Sequence, residues 1–187
     1  LPAIKSLELA KSEPRMRTMQ AIAKALDVKL QELFQPVREL RTVRFRSAKR
    51  MQNRENVLAD DPGAVRTIVA STGFFYDHEI DVAVELVDER LQKGLKSGYL
   101  FLFAEQGGRT VGYSCYGEIA CTEGSYDLYW IAVHEDCRSQ GIGKVLLQKT
   151  EALIAGLKGR VIWVETSGQK KYASTRSFYL RSGYQEE

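Results

Sequence analysis

The 187-residue chain is 44% hydrophobic and 27% charged, enough to bury a core as one large domain or as a domain with an appendage. No stretch approaches the roughly 18 consecutive apolar residues of a membrane span, no secretory leader is visible, and three cysteines beside two histidines lack metal-ligand spacing. A cytoplasmic protein with no metal and with reduced thiols at Cys115, Cys121 and Cys137 is therefore expected. The net charge of +3 hides an asymmetry: residues 1–56 hold 13 Lys/Arg against 6 Asp/Glu, whereas residues 57–187 hold 14 against 18. Two parts with different partners are implied.

The chain opens at Leu1 in a helix-compatible run, Ala3-Ile4-Lys5-Ser6-Leu7-Glu8, without a capping signal, and so reads as a fragment. Pro14 ends that run, and Met19, Ile22, Ala23 and Leu26 then follow the spacing of a helix face. Leu30, Leu33 and Phe34 predict a last short helix before Pro36. Residues 37–55 carry seven Arg/Lys, from Arg38 to Arg54, and read as a basic, solvated linker helix. A phosphate-contacting surface is the alternative.

From Asn56 the pattern changes. Val57–Ala59 reads as a short strand, and Asp61-Pro62-Gly63 starts a helix through Val65, Ile68 and Val69. The loop STGFFYD leads to a second helix over 78–92. YLFLFAE and RTVGYSCYGEI, separated by Gln106-Gly107-Gly108, predict a hairpin. DLYWIAV follows as a strand, GKVLLQKTEALIAGL as a long helix, VIWVETS as a strand, and YASTRSFYLRSGY as a final helix and turn. The order predicts an α+β domain, a three-layer sandwich whose mixed sheet joins an antiparallel hairpin to a strand-helix-strand unit.

Between DLYWIAV and the long helix lies Arg138-x-x-Gly141-x-Gly143. A glycine-bearing turn that opens a helix points several backbone N–H groups out of one loop and binds pyrophosphate. With Phe178-Tyr179-x-x-x-Gly183-Tyr184 downstream, residues 56–187 resemble the GNAT superfamily of acetyl-CoA-dependent N-acetyltransferases. The resemblance implies that acetyl-CoA is the cosubstrate, with its pyrophosphate on Arg138, Ser139, Gln140, Gly141, Ile142, Gly143 and Lys144. It implies further that the pantetheine arm runs along Ile131, Ala132 and Val133, and that the strand VIWVETS splays away to open the cleft.

Tyr179 falls at the family's recurring tyrosine, the acid that protonates the departing thiolate. Asp127 stands where some relatives carry a glutamate base, Glu118 is a second candidate, and deprotonation by water is a third route. Where relatives place an asparagine seven residues before the tyrosine, this chain has Tyr172, so Thr175 or Arg176 is the expected substitute. Phe74, Phe75, Glu79 and Tyr129 are the expected acceptor-side residues. The TGFF, DLYWIAV, VETS and FYxxxGY combination is similar to a GNAT branch found beside amino-acid ligases, which implies a small amine or amino-acid-like acceptor.

Residues 1–36 resemble the C-terminal half of a Cro/repressor-type (XRE) helix-turn-helix domain through Leu7-Glu8, Pro14, Ile22-Ala23, Ala25-Leu26 and Leu33-Phe34. The helix that would read DNA is represented by the Ala3 to Ala10 end alone, so DNA binding is not expected of this segment. The leading expectation is an N-acetyltransferase working through a direct ternary complex on a small primary amine, with homodimerisation a possible assembly. The alternative is a transcriptional regulator whose GNAT-like domain senses coenzyme A. The family adds two strands after Gly-Tyr, so a domain cut at both ends, with an exposed sheet edge, is also expected.

Overall fold

Met51–Arg54, expected as the end of a linker helix, forms strand β1 in the computed structural model, which describes residues 51–186. The expected helix-turn-helix remnant (1–36) and the expected basic linker through residue 50 lie outside the described residues. Strand β1 pairs antiparallel with β2 (Leu100–Gln106), from Met51 opposite Gln106 to Arg54 opposite Phe103. Side chains fix that choice over a helix. The Arg54 guanidinium grips both oxygens of Asp61 at 2.8 Å, donates to Glu105 at 2.7 Å and lies 4.5 Å over the Phe103 ring. The sheet therefore begins ahead of the expected boundary at residue 56.

Val57–Ala59, expected as a strand, is a turn into helix α1 (Asp61–Ser71). The cause is Asp61, whose carboxylate captures the Leu58 N–H at 2.7 Å while its own N–H bonds the Leu58 carbonyl at 3.0 Å. With both groups of Leu58 engaged locally, no strand partner is sought. Asp61 is therefore the first helical residue and Asp60 the cap position. Val65, Ile68 and Val69 then line one buried face. Helix α2 (Asp77–Lys93) starts where the Glu79 carboxylate accepts the Tyr76 N–H at 2.7 Å while the Glu79 N–H bonds the Tyr76 carbonyl at 3.0 Å, and it buries Ile80, Ala83, Val84 and Val87.

The hairpin forms as the sequence predicts: Gly107 and Gly108 supply positive φ (63° and 77°) between β2 and β3 (Arg109–Glu118). β4 (Ser125–Val133) pairs antiparallel with β3, and β5 (Val161–Trp163) pairs parallel with β4 across helix α3 (Ile142–Gly156). Helix α4 (Ala173–Arg181) closes the described chain. Among the described residues the result is a mixed five-stranded sheet in the order β1-β2-β3-β4-β5, flanked by four α-helices.

The two faces carry separate cores. Helices α1 and α2 pack with Phe101, Phe103, Tyr113, Cys115 and Ala132 on one side. On the other, α3 packs against Leu102, Ala104 and Val111, while Tyr116, Tyr126, Leu128, Ile154 and Tyr179 form a neighbouring cluster. A buried hydroxyl pair, Ser114 with Thr150 at 2.7 Å, satisfies the polar groups between β3 and α3.

A candidate acyl-transfer cleft at the β4–β5 split

Two departures from ideal sheet geometry create the cleft. In the β3–β4 ladder Cys115 faces Trp130 while Tyr116 faces Leu128, so Tyr129 is an extra residue in a bulge. A bulge leaves its residue out of the ladder and re-aims the side chain. On the other edge β5 pairs with β4 over three residues, the last being Trp163 opposite Asp127. VIWVETS was expected to be a strand that splays from β4; its strand ends at Trp163, and Arg176 of α4 holds the chain that follows, donating to the carbonyls of Ser167 (2.6 Å) and Gln169 (3.1 Å). Main-chain groups of β4 after Asp127 are thus unpaired on the β5 side, and a cleft of about 1940 Å³ opens there.

The expected pantetheine stretch, Ile131, Ala132 and Val133, lines this cleft. At its end Gly141 caps α3 with φ of 80°, and Ser139 also has positive φ, 60°. The first backbone bond of the helix runs from Val145 N–H to the Gly141 carbonyl, so the N–H groups of Ile142, Gly143 and Lys144 precede the ladder. A Cβ at Gly141 would meet nothing within 4 Å. Arg138, Ser139 and Gly143 are in the cleft wall, whereas Gln140, Gly141, Ile142 and Lys144 are not; the Ile142 side chain is core and Gln140 donates to the Asp136 carbonyl at 3.3 Å. The turn offers an anion backbone donors, the positive end of a helix and the Arg138 cation.

Tyr179 is buried and lines the cleft, edge-on to Phe178 and Tyr184. Burial pushes its phenol well above the ordinary range, so it stays protonated at neutral pH. Asp127, the expected base, lies outside the cleft wall, and its carboxyl is raised by burial and by the charge of Glu165. Glu118, the second candidate, sits at the far end of β3 beside the Gly124 N–H, at 3.5 Å. Thr175 lines the cleft, whereas Arg176 is committed to the Ser167 and Gln169 carbonyls.

On the acceptor side Phe74, Phe75, Glu79 and Tyr129 all line the cleft. Phe75 packs 5.0 Å from Trp130, and Tyr129 meets Tyr99 edge-on at 5.6 Å. Glu79 is already employed, since its carboxylate accepts the Tyr76 N–H at 2.7 Å. The α1–α2 loop also straps the cleft. Arg138 donates to the Thr72 carbonyl (3.3 Å) with its guanidinium 5.4 Å from the Phe74 ring, and Lys171 donates to the Phe74 carbonyl at 2.8 Å.

Sequence reasoning missed the bulge at Tyr129, the strap, and two wall residues, Trp163 and Glu165. The signal for the last pair was present, because alternation in VIWVE sets Trp163 and Glu165 on one face. Among the described residues no His/Cys/Asp/Glu group is arranged to hold a metal ion, and no helix is long and apolar enough to cross a membrane.

A mixed sheet split beside a helix N-terminus, with a buried phenol at the split, is an open cleft with the shape for an extended substrate and backbone donors at one end. The family model described as an acetyltransferase (GNAT) domain matches residues 97–186. A protein from Desulfovibrio desulfuricans assigned to the GNAT family of acetyltransferases is 46% identical, with 74% of this chain and 87% of that chain covered and a TM-score of 0.73. The chain belongs to the GNAT family of acetyltransferases.

Two more distant structures share the fold. The PaiA N-acetyltransferase of Thermoplasma acidophilum, in complex with coenzyme A, is 18% identical with a TM-score of 0.60, covering 74% of this chain and 91% of that one. A GNAT-family acetyltransferase of Brucella melitensis, in complex with acetyl-CoA, is 22% identical with a TM-score of 0.56, covering 74% and 84%. The search of curated proteins gives no match.

Proposed function

We propose that this chain is an N-acetyltransferase that moves the acetyl group of acetyl-CoA directly onto the primary amine of a small acceptor in a ternary complex. The observation that carries the reading is the β4–β5 split, which ends at the α3 N-terminus on one side and at Tyr179 on the other. Backbone donors of the Arg138–Lys144 turn hold the pyrophosphate, and the unpaired main chain at Ile131–Val133 holds the pantetheine arm as an added strand. Acetyl-CoA supplies an activated thioester. The acceptor nitrogen, having lost its first proton to water, forms the new C–N bond; the C–S bond breaks, Tyr179 gives its proton to the leaving sulfur, and the proton that the nitrogen sheds as the amide forms restores the phenol through solvent. We assign Asp127 no proton transfer, because it is not among the residues that line the cleft.

The test is thiol release from acetyl-CoA across a panel of amines. Tyr179→Phe is expected to lower kcat about a hundredfold with little change in the KM for acetyl-CoA. Unchanged turnover in that variant would remove the acid role, and no thiol release with any amine would remove the acetyl-transfer reading.

A further inference from the structure

The loop between α1 and α2 bridges two walls of the cleft with adjacent residues. Phe75 packs on Trp130 of β4, with ring centroids 5.0 Å apart, and Phe74 packs on Tyr172 at 5.7 Å. Tyr172 ends a 3-10 turn, Lys170–Tyr172, that leads into α4. Phe74, Phe75, Trp130 and Tyr172 all line the cleft, whereas Lys171 does not.

Lys171 nevertheless joins the loop to that turn. Its ammonium donates to the Phe74 carbonyl at 2.8 Å, and its nitrogen lies 5.1 Å from the Tyr172 ring centroid and 5.5 Å from that of Tyr76. One cation thus meets the main chain of the wall residue, the ring packed against it and the residue that caps α2. The base of this clamp is itself fixed, because the Gln169 carbonyl accepts the Tyr172 N–H at 3.0 Å and the Arg176 guanidinium at 3.1 Å. Lys170 cannot substitute, since successive residues of a 3-10 turn point about 120° apart. The Thr72 end of the loop is tied separately, by Arg138 at 3.3 Å.

Resting on the acetyl-transfer reading, we infer that Lys171 and Tyr172 are positioning residues for the acceptor, holding Phe74 in the cleft wall from the leading turn of α4. Lys171 acts through the loop, since it lies outside the wall and its ammonium is engaged by the Phe74 carbonyl. Losing the clamp loosens the acceptor wall and leaves the backbone donors of the Arg138–Lys144 turn in place. Lys171 is exposed, so it can be replaced without disturbing the core.

The experiment takes the full chain and reads acetyl-transfer kinetics with butylamine and benzylamine, coenzyme A affinity by calorimetry, and amide hydrogen exchange over residues 72–76. Lys171→Met is expected to raise the KM of either amine about fivefold with kcat within about twofold and coenzyme affinity unchanged, and to speed exchange over 72–76 by a similar factor. Lys171→Arg, which still donates and still lies over the rings, should restore most of the loss. Tyr172→Ala should repeat the Lys171→Met effect and Tyr172→Phe should not, whereas Lys170→Met, which removes the same charge one residue away, should match the wild type. Unchanged 72–76 exchange in Lys171→Met overturns the inference, as does a fall in coenzyme affinity equal to the rise in acceptor KM, or an equal effect of Lys170→Met. Faster exchange in Lys171→Met, with no transfer to these or any other amine of the panel, would sustain the clamp and sink the acetyl-transfer reading instead.

Discussion

Gly141 offers a substitution that separates stability from coenzyme binding. It caps α3 with φ of 80° and ψ of 1°, and a Cβ there would find no atom within 4 Å. Asn and Asp tolerate this left-handed conformation better than other residues with side chains, so either should cost about 1 kcal/mol or less. The two side chains are nearly isosteric and differ in charge. A carboxylate at the helix cap roughly 6 Å from a phosphate, at an effective dielectric near 20 to 40, opposes it by about 2 kcal/mol, or about thirtyfold in affinity. Gly141→Asp should therefore bind coenzyme A about thirtyfold more weakly than Gly141→Asn, while the two unfold within a few degrees of each other. Calorimetry at low ionic strength reads the first and thermal unfolding the second. Equal affinity for the two variants would mean that the pyrophosphate does not sit at this helix end.

Gly159→Ala would set a Cβ 2.3 Å from Ile154 Cγ2 and 2.9 Å from the Ile154 carbonyl, so the α3–β5 turn must shift; about 2 kcal/mol and a Tm drop of about 4–8 °C are expected. Arg54→Met strips the charge partner from Asp61, which is 3% exposed, and should cost about 3 kcal/mol by denaturant unfolding; a loss below about 1 kcal/mol would make the β1–α1 tie ornamental. Asp127→Asn should stabilise slightly at neutral pH. Because burial and Glu165 raise the folded pKa of Asp127, its penalty grows as pH rises from the unfolded pKa to the folded one, and the gain from Asn should vanish below the ordinary carboxylate range. A gain that persists in acid would refute that cause.

Periodicity alone was enough for the elements whose residues answer to a single neighbour. Val65, Ile68 and Val69, Ile80 through Val87, and the Gly107-Gly108 turn each announce a helix face or a hairpin directly. The failures occurred where a distant group overrode the local pattern. Met51–Arg54 looks like more basic linker until Arg54 finds Asp61 and Glu105, and Val57–Ala59 alternates like a strand until Asp61 binds Leu58. In the cleft, spacing along one strand-helix unit marks the turn Arg138–Lys144 at the start of α3, and a separate helix-end pattern marks Tyr179 on α4, which lines the cleft. The Arg138–Thr72 strap was not legible, because it depends on which loop spans the gap, and although alternation sets Trp163 and Glu165 on one face, that the face lines the cleft depends on where β5 parts from β4.

The bulge at Tyr129 and the early end of β5 act together on a single strand. Had β4 remained in register with β3, Tyr129 would have kept strict alternation with Leu128 and Trp130, and it would not share a face with Trp130. Had β5 remained paired past Trp163, the main chain of Ile131–Val133 would be spent on a ladder. The first irregularity shapes the acceptor wall and the second frees the backbone proposed for pantetheine, so both substrates meet on β4 within a few residues of each other. A change that straightens the strand should consequently damage acceptor selection and coenzyme binding at once, whereas Gly141→Asp should weaken coenzyme binding alone.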